Sequence, residues 1–453
     1  MMLLITTPLM SETRETPPRN VLFLAVDDLN TWLLSNPDRY TGKVIAPNMV
    51  GFAQSGANFT NAFTASPKCS PSRTAFISGV APWRSGIYDN AQDISGSPAL
   101  QGIQTLPMHF KKHGYYTASF GKITHGYRSN KDWWDRYLPH TRDPVPPGQH
   151  KEFSWGPIHI PEEEMGDWKY ATAAIEALNQ PHDRPFFIAC GIFHPHTPWN
   201  VPPRYLDMYP LDQIVIPEIA EDDLHDLPQT AIDLIAGARP VEGGTYYKAL
   251  KKGILKHAIQ GYLASTTFAD DQIGRVLDAL DQSPHRDNTI VVLFSDHGYH
   301  LGEKHHFHKG TLWEEATHVI FALRTPEMDK KGFVIQTPVS LLDLYPTLVE
   351  LTGLPLPEHQ LDGFSLAGLL ENPDEARPGP VITAYQEHLT VRTRKFRYIR
   401  YKDGQEELYD RDKDPKEWNN LATNPEYDAI KKTLRQLLPD ESQMSSPMPA
   451  TKG

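Results

Sequence analysis

Four short segments of the chain are apolar at nearly every position, and helical patterns separate them. They read NVLFLAV, YYTASF, PFFIACGIF and NTIVVLFS and begin at Asn20, Tyr115, Pro185 and Asn288. Strands that are apolar on both faces are typical of a parallel sheet covered by helices on each side. The pattern therefore predicts an α/β fold around a large, mostly parallel sheet.

Each predicted strand runs directly into polar residues with catalytic or metal-binding chemistry. The carboxyl ends of parallel strands line one crevice, and ligands bind there in open α/β sheets. We therefore expect one site at this edge, built from the residues that follow the strands: Asp27 and Asp28, Lys122 and His125, His194 and His196, Asp296 and His297.

The remaining pattern predicts one long helix and two long loops. Leucine, isoleucine and valine recur at helical spacing over residues 248–282, which we expect to pack on the sheet. Residues 127–164 and 198–244 are rich in proline, aspartate and aromatic residues. We expect both to form loops that roof the crevice and carry substrate selectivity.

The last part of the chain has a different pattern of apolar and polar residues. After a predicted helix that ends at Gly353, the segment VRTRKFRYIRYKDGQEELYD indicates a hairpin with a turn at Asp403 and Gly404. A final helix is predicted from about Glu426 to Leu438. These elements indicate a small C-terminal α+β domain with an antiparallel sheet.

These patterns divide the chain into four parts. The opening MMLLITTPLMS has an apolar run without a preceding basic residue, so it resembles a degenerate or trimmed secretion signal. A periplasmic or secreted location, with a cytoplasmic one left open, is implied more by the family resemblance described below than by this segment. The expected parts are a leader or disordered N-terminus over 1–17, a catalytic domain over 18–365, a C-terminal subdomain over 366–440 and a disordered tail over 441–453.

Composition narrows the class of protein. The 453 residues carry a net charge of −12, whereas a nucleic-acid-binding protein would show a basic excess. An anionic substrate would need a local cationic pocket. Cys69 and Cys190 are the two cysteines, too few for a disulfide framework. No run approaches the ~18 apolar residues of a membrane span.

The carboxylates at the strand ends suggest a metal site. Asp27 and Asp28 are adjacent, and their repulsion is tolerated when a cation lies between them. Taken alone, the pair could equally be helix-capping or solvated. Asp296 and His297 at the end of another strand favour a divalent site, with calcium or magnesium suggested by the carboxylates and other metals left open by the imidazole.

A basic loop follows the proposed ligands, in the segment GEKHHFHKGTLWEE. Two lysines and three histidines lie close together there, although several of them can be purely structural. In an acidic chain, such a loop beside a metal site suggests a binding place for ionised sulfate or phosphate, for which lysine serves as a point charge.

Cys69 lies in the constrained segment NAFTASPKCSPSRTAFISG, at or just before a predicted helix N-terminus. The helix end, Arg73 and a nearby cation would all lower the pKa of the thiol. A thiolate is nevertheless a poor partner for an oxygen-ligated metal. An oxygen nucleophile would suit this place better, and the sequence as written does not supply one.

The segment CSPSRTAFISG resembles the signature of the type I sulfatases, C-x-P-S-R followed by a turn. Further resemblance is carried by VDDLN, GKITHG, PHTP, FSDHGYHLGEKHHFHKG and ELYDRDKDPKEWNNLA. In that family the cysteine is oxidised after translation to Cα-formylglycine, whose hydrate supplies the oxygen nucleophile. The resemblance implies an alkaline-phosphatase-like α/β sandwich with a smaller C-terminal domain, matured by a formylglycine-generating or anaerobic sulfatase-maturating enzyme.

The resemblance also implies roles for individual residues. The expected calcium ligands are Asp27, Asp28, Asp296, His297 and the formylglycine made from Cys69. Many sulfatases have Asn at the position of His297, and histidine there is typical of the iduronate-2-sulfatase-like branch. By the same resemblance, Arg73 and Lys122 orient the hydrate and neutralise charge, and Lys309 binds sulfate. His196 protonates the leaving oxygen, and His125 deprotonates the second hydroxyl.

The spacing in GKITHG is similar to that branch and implies a sulfated carbohydrate substrate, such as a uronic acid 2-sulfate or an algal polysaccharide unit. A phosphonate or phosphate ester hydrolase of the same superfamily is the alternative enzyme. The alternative that is not an enzyme is an inactive relative that binds carbohydrate. The expected substrate-subsite residues are Trp83, Arg84, His305, His306 and Trp313.

Overall fold

The computed structural model of the protein describes residues 18–34, 37–126, 130–146, 154–235, 245–328 and 332–450. The expected leader over residues 1–17 lies outside them. The strands are β1 (Asn20–Val26), β2 (Ala57–Phe59), β3 (Ala62–Phe63), β4 (Tyr116–Gly121), β5 (Arg136–Pro139), β6 (Trp155–Pro157), β7 (Phe186–Ile192), β8 (Trp199–Val201), β9 (Thr289–Ser295) and β10 (His300–Leu301). They continue with β11 (Phe307–His308), β12 (His318–Val319), β13 (Phe321–Arg324), β14 (Phe333–Ile335), β15 (Val339–Ser340), β16 (Val381–Tyr385), β17 (His388–Arg392), β18 (Phe396–Arg400) and β19 (Glu406–Asp410).

The α-helices alternate with these strands over most of the chain. They are α1 (Pro47–Ala53), α2 (Cys69–Ser78), α3 (Pro82–Ser85), α4 (Leu106–Lys112), α5 (Gly166–Asn179), α6 (Pro203–Asp207), α7 (Gln229–Leu234), α8 (Thr245–Lys251), α9 (Leu255–Gln282), α10 (Glu314–Thr317), α11 (Leu344–Leu351), α12 (Ala367–Glu371) and α13 (Asp428–Arg435).

The four segments predicted as strands form the centre of an eight-stranded sheet with the order β14-β2-β13-β9-β1-β7-β4-β5. The strands β9, β1, β7 and β4 are mutually parallel, as expected. In this register Val26 at the end of β1 pairs with Ser295 of β9 and with Ile192 of β7. The strands therefore deliver their following residues to one edge, as the sequence predicted.

The central strand β1 buries both of its faces. Phe23 packs on one side against Phe294 and Phe76 of α2, with ring centroids 4.9 and 5.9 Å apart. Leu24 belongs to the apolar cluster on the other side, together with Ile273 of α9 and Ala174 of α5. Helices thus cover both faces of the sheet, which confirms the predicted α/β sandwich.

The long helix predicted over residues 248–282 is two helices, α8 and α9. Gly253 lies between them with φ of +65°, a left-handed conformation that glycine adopts without steric cost and that ends α8. Among the described residues, no helix has the combination of length and apolar character needed to cross a membrane.

The two predicted loop regions contain more regular structure than expected. The first includes β5 and β6, and the second includes β8, α6 and α7. Trp155 of β6 pairs with the buried Trp199 of β8, which provides the tertiary contact that orders these short strands. Residues 127–129, 147–153 and 236–244 of the predicted loops lie outside the described residues.

The C-terminal part contains the predicted antiparallel sheet, in the order β16-β17-β18-β19. The predicted hairpin turn joins β18 to β19, with Gly404 at φ of +88° and the Tyr401 N–H donating to Gln405 O at 2.9 Å. The final helix α13 is shorter than the segment predicted for it. The domain boundary at residue 365 stays a prediction.

Residues 441–450, which we expected to be disordered, differ from that expectation. Their backbone bonds to the chain that follows the Cys69 helix: Ser445 N–H donates to Trp83 O at 2.6 Å, and Met448 N–H donates to Gly86 O at 2.9 Å. The polar composition of this segment gave no indication of these contacts, because their partners lie some 360 positions away in the sequence. Residues 451–453 lie outside the described residues.

A buried charge cluster connects the C-terminal sheet to the catalytic part. Glu314 of α10 accepts a hydrogen bond from Arg397 of β18 and lies 3.3 Å from Arg392 Nε and 3.2 Å from Arg411. Burial would raise the pKa of Glu314, but the guanidinium groups outweigh it and hold the pKa well below its usual value. Arg397 also donates to Glu417 at 2.6 Å.

We expect Glu314→Gln to lower the free energy of unfolding by about 3 kcal/mol, because it leaves buried guanidinium groups without a full counter-charge. The measurement is chemical denaturation at neutral pH. Glu358→Gln is the matched control, since Glu358 is 88% exposed in its pair with Lys112. Equal unfolding midpoints for the two variants would contradict the structural role of the cluster.

Candidate active site

Cys69 is the first residue of α2, which confirms its predicted position at a helix N-terminus. Its side chain is fully buried. The Ser72 hydroxyl donates to the backbone oxygen of Asp296 at 2.6 Å and so fastens the first turn of α2 to the end of β9. The helix ends at Gly79, which has φ of +70°. The segment around Cys69 is therefore held directly against the carboxyl edge of the sheet.

The strand-end carboxylates lie together at this edge, as predicted. Asp27 and Asp296 follow paired residues of β1 and β9, and both are fully buried. Asp28 has φ of +60°, an uncommon conformation for a residue with a side chain. Two contacts hold it: its N–H donates to Asp296 Oδ1 at 3.2 Å, and the Tyr262 hydroxyl donates to its backbone oxygen at 2.9 Å.

Arg73 joins the first turn of α2 to these strand ends. Its guanidinium is fully buried and donates to Asp296 Oδ2 at 2.9 Å and to Asp27 Oδ1 at 3.1 Å. It also donates to the backbone oxygens of Lys122 and Ile123 after β4. One side chain therefore connects α2 with the ends of three strands.

Two lysines reach the Cys69 sulfur from opposite parts of the chain. Lys122 Nζ lies 3.8 Å from Sγ and donates to Asp27, whereas Lys309 Nζ lies 3.2 Å from Sγ and donates to Asp28. Burial would lower the pKa of Lys309, but Asp28 and Cys69 outweigh it and raise the pKa well above its usual value. The structure brings both predicted lysines into the site.

The histidines of the site have distinct contacts. His297 Nδ1 is 3.0 Å from Gly298 O, which leaves Nε2 directed at Cys69 Sγ, 3.3 Å away. His125 lies within hydrogen-bonding reach of the same thiol. His196 Nδ1 is 2.6 Å from Thr197 O, and its Nε2 lies 3.9 Å from Asp28 Oδ2. His194 instead points away and pairs with Asp167 at 2.7 Å.

The electrostatics favour an anion at position 69. Burial would raise the pKa of the Cys69 thiol, yet Lys122 and Lys309 outweigh it and hold the pKa well below its usual value. Burial likewise raises the pKa of Asp296, to about 7, against the effect of Arg73. The site therefore concentrates negative charge on residue 69 and the carboxylates, and the neighbouring cationic side chains balance it.

The donor set fits a divalent cation. Asp27, Cys69, Asp296 and His297 offer ligand atoms within 4.8 Å of one another, and a second group replaces the last two with Asp28 and His196. Asp28 Oδ2 is buried and has no hydrogen-bond partner among the described residues. An unpaired buried carboxylate oxygen is costly, and a bound cation would satisfy it.

Three residues expected in the substrate subsite lie elsewhere. Trp313 is buried, and its indole donates to Glu407 of β19 at 2.8 Å, so it belongs to the junction with the C-terminal sheet. Trp83 and Arg84 lie in α3, beyond the far end of α2, which rises about 15 Å from Cys69. Arg84 pairs there with Asp362. The sequence could not reveal these directions, because they depend on the packing of α2 and the C-terminal sheet.

The remaining two expected subsite residues are engaged in packing the basic loop. His305 lies 2.8 Å from the Tyr247 hydroxyl and 2.9 Å from Ala220 O. His306 Nε2 is 3.3 Å from Lys309 O, and burial lowers the pKa of His306 to about 4. Both therefore support the loop that carries Lys309, and their role in a substrate subsite stays a prediction.

A cleft of about 200 Å³ opens beside the reaction centre. It is lined by the predicted Lys122, His125 and His196, and by His140 and Arg142, which sequence reasoning missed. Neither missed residue follows a strand predicted from the sequence, so no local pattern marked it. Tyr262 was missed for a similar reason: it lies within α9, 234 positions from the Asp28 oxygen that it bonds.

Comparison with known families covers nearly the whole chain. Residues 19–354 match the family model described as Sulfatase, and residues 302–444 match the model described as N-sulphoglucosamine sulphohydrolase, C-terminal. The first match spans the strand ends, the Cys69 segment and the basic loop. The second match spans the basic loop and the C-terminal sheet.

Individual relatives agree with the family models. A sulfatase of Formosa agariphila is 36% identical over 94% of this chain and 87% of its own length. The human iduronate 2-sulfatase is 30% identical over 76% of this chain and 70% of its own. The phosphonate monoester hydrolase of Agrobacterium radiobacter has the same fold, with a TM-score of 0.76 over 92% of this chain and 94% of its own at 22% identity. The chain therefore belongs to the formylglycine-dependent sulfatase family and is a sulfuric ester hydrolase.

Proposed function

We propose that the chain hydrolyses a sulfate ester of a carbohydrate, with a formylglycine hydrate at position 69 as the nucleophile. The observation that carries this proposal is the pair of lysine ammonium groups, 3.2 and 3.8 Å from a buried Cys69 sulfur. A group so surrounded is suited to attack an anionic ester, since the lysines offset the charge of both partners. The iduronate 2-sulfatases and the ulvan-active sulfatase among its relatives support a sugar substrate.

The chemistry of the donor set favours oxygen over sulfur at position 69. Carboxylates from Asp27, Asp28 and Asp296 are hard ligands, and a soft thiolate is an awkward neighbour for the cation they prefer. Conversion of Cys69 to formylglycine replaces the sulfur with an aldehyde, whose hydrate carries two hydroxyl groups. The maturating enzyme would be a formylglycine-generating or anaerobic sulfatase-maturating enzyme.

The residues around position 69 suit the two steps of ester hydrolysis. One hydroxyl group of the hydrate releases its proton to solvent, and the resulting oxyanion attacks sulfur. The ester S–O bond breaks, and protonated His196 gives its proton to the departing sugar oxygen. His125 then takes the proton of the remaining hydroxyl, so that the aldehyde re-forms and sulfate leaves. Addition of water restores the hydrate. Lys309 and Lys122 offset the charge on the sulfuryl oxygens, and Arg73 orients position 69.

We propose calcium as the metal, held by Asp27, Asp28, Asp296, His297 and the modified residue 69. The carboxylate-rich donor set supports calcium, although His297 adds an imidazole. When bound, the cation supplies Lewis-acid stabilisation of charge at the sulfate ester. A periplasmic or secreted location and the division of the chain at residue 365 complete the proposal.

We expect Cys69→Ala to abolish sulfatase turnover and to leave the unfolding midpoint close to that of the wild type, because the residue serves chemistry rather than packing. Peptide mass spectrometry of active protein should show the aldehyde at position 69. Cys190→Ala is the matched control for loss of a buried thiol, and it should stay active. An intact thiol in fully active protein would refute the proposed nucleophile.

We expect faster hydrolysis of a sulfate monoester than of the phosphonate monoester with the same leaving group. The site places two ammonium groups near the nucleophile, and its family match favours sulfate. The measurement is kcat/KM for both esters on one purified preparation. A strong preference for the phosphonate would overturn the assignment. If the sulfate ester is preferred, a panel of defined sulfated saccharides identifies the sugar.

Removal of divalent metal should abolish turnover and lower the thermal midpoint, since Asp28 Oδ2 would lose its partner and the carboxylates would repel. Calcium should restore both quantities better than magnesium, because a flexible, carboxylate-rich site suits the larger ion. Elemental analysis gives the bound metal independently. Full activity in protein shown to be metal-free would contradict the proposal.

A further inference from the structure

A second cavity lies next to the cleft beside the reaction centre, and the two cavities share lining residues. The cavity at the reaction centre is called the inner compartment here, and its neighbour the outer compartment. The inner compartment, about 200 Å³, is lined by Lys122 and His196, and the outer one, about 300 Å³, is lined by His194 and Asn200. Arg142 lines both compartments, as does Phe193. Arg142 therefore borders both the compartment next to position 69 and its neighbour, which offers room for a substrate that extends beyond its sulfate.

The cations of the two compartments differ in their partners. Lys122 is paired with Asp27, and His194 is paired with Asp167 at 2.7 Å. Arg142, in contrast, is exposed and forms no ion pair with any carboxylate in the described parts of the chain. It is thus the cation of this cleft that is available to a ligand.

A carboxylate lines the outer compartment and already has a hydrogen-bond partner. It belongs to Asp143, whose Oδ1 accepts a hydrogen bond from the Gly166 N–H at 2.7 Å. Burial also raises the pKa of Asp143 above its usual value. His140, in the inner wall, has a pKa lowered to about 3 by burial and adds no charge at neutral pH.

We propose that Arg142 binds a second anionic group of the substrate, a carboxylate or another sulfate on the sugar unit or its neighbour. A guanidinium is suited to this role, because it binds such oxyanions through two parallel hydrogen bonds. Arg142 is then a specificity-determining residue that distinguishes multiply charged sugars from singly charged sulfate esters. This inference rests on the proposed sugar sulfatase function.

The test uses substrates that differ only in the second anion. One pair is a uronic acid 2-sulfate disaccharide and its carboxyl methyl ester, and the other is a hexosamine disulfate and the corresponding monosulfate. An aryl sulfate without a second anion is the reference. Wild-type protein should show a KM at least about tenfold lower for the dianionic member of one pair, and that pair identifies the group that is bound.

Arg142→Gln should remove this preference by raising KM for the dianionic substrate at least about tenfold, with kcat and the aryl sulfate kinetics nearly unchanged. Arg142→Lys should recover part of the loss, since it keeps the charge but not the planar fork. Arg184→Gln is the matched control: Arg184 precedes β7 at the opposite edge of the sheet and pairs with Asp135. It should leave all constants unchanged.

Each remaining outcome is decisive. Equal losses on dianionic and reference substrates would overturn the specificity role of Arg142, and so would wild-type kinetics in Arg142→Gln. Turnover of the aryl sulfate without preference in either pair would reject this inference while leaving the sulfatase function intact. Absence of turnover on every sulfate ester, in protein with the aldehyde verified at residue 69, would reject the proposed function itself.

Discussion

The buried guanidinium of Arg73 is the contact on which the rest of the site depends. It forms ion pairs with Asp27 and Asp296 at the ends of two parallel strands and bonds to the backbone oxygens after a third. A buried carboxylate without a partner is strongly unfavourable, so the charge of Arg73 stabilises the assembly of these strand ends, together with Lys122 at Asp27. The same side chain fixes the first turn of α2 and thereby places residue 69 among its neighbours.

The C-terminal sheet has an indirect part in this arrangement. Lys309 belongs to a loop that continues into Trp313 and Glu314, and both residues are bonded to strands of that sheet. The loop is therefore anchored on one side to the buried charge cluster. On its other side, the Lys309 ammonium group contacts the Cys69 sulfur. A substitution in the C-terminal sheet can thus alter catalysis without touching substrate, because it changes the position of Lys309.

The floor of the cleft is formed by residues that follow the central strands, and one wall is formed by a connecting segment. The floor residues follow strands whose faces are fully buried, which restricts their movement, whereas His140 and Arg142 lie in the connection after β5. Connections of this kind vary more readily than strands do. Under the proposed function, the residues at the strand ends carry the chemistry and this connection carries the selectivity.

The sequence by itself determined the parallel sheet, its four central strands, the helix start at Cys69 and the residues at the strand ends. Those features follow from local periodicity and from the rule that parallel strands end at one edge. Only the tertiary structure decided the packing of residues 441–450, the burial of Trp313 and the position of Arg142 in the cleft. Each of these depends on contacts between segments far apart in the chain, and such contacts leave no periodic signal in the sequence.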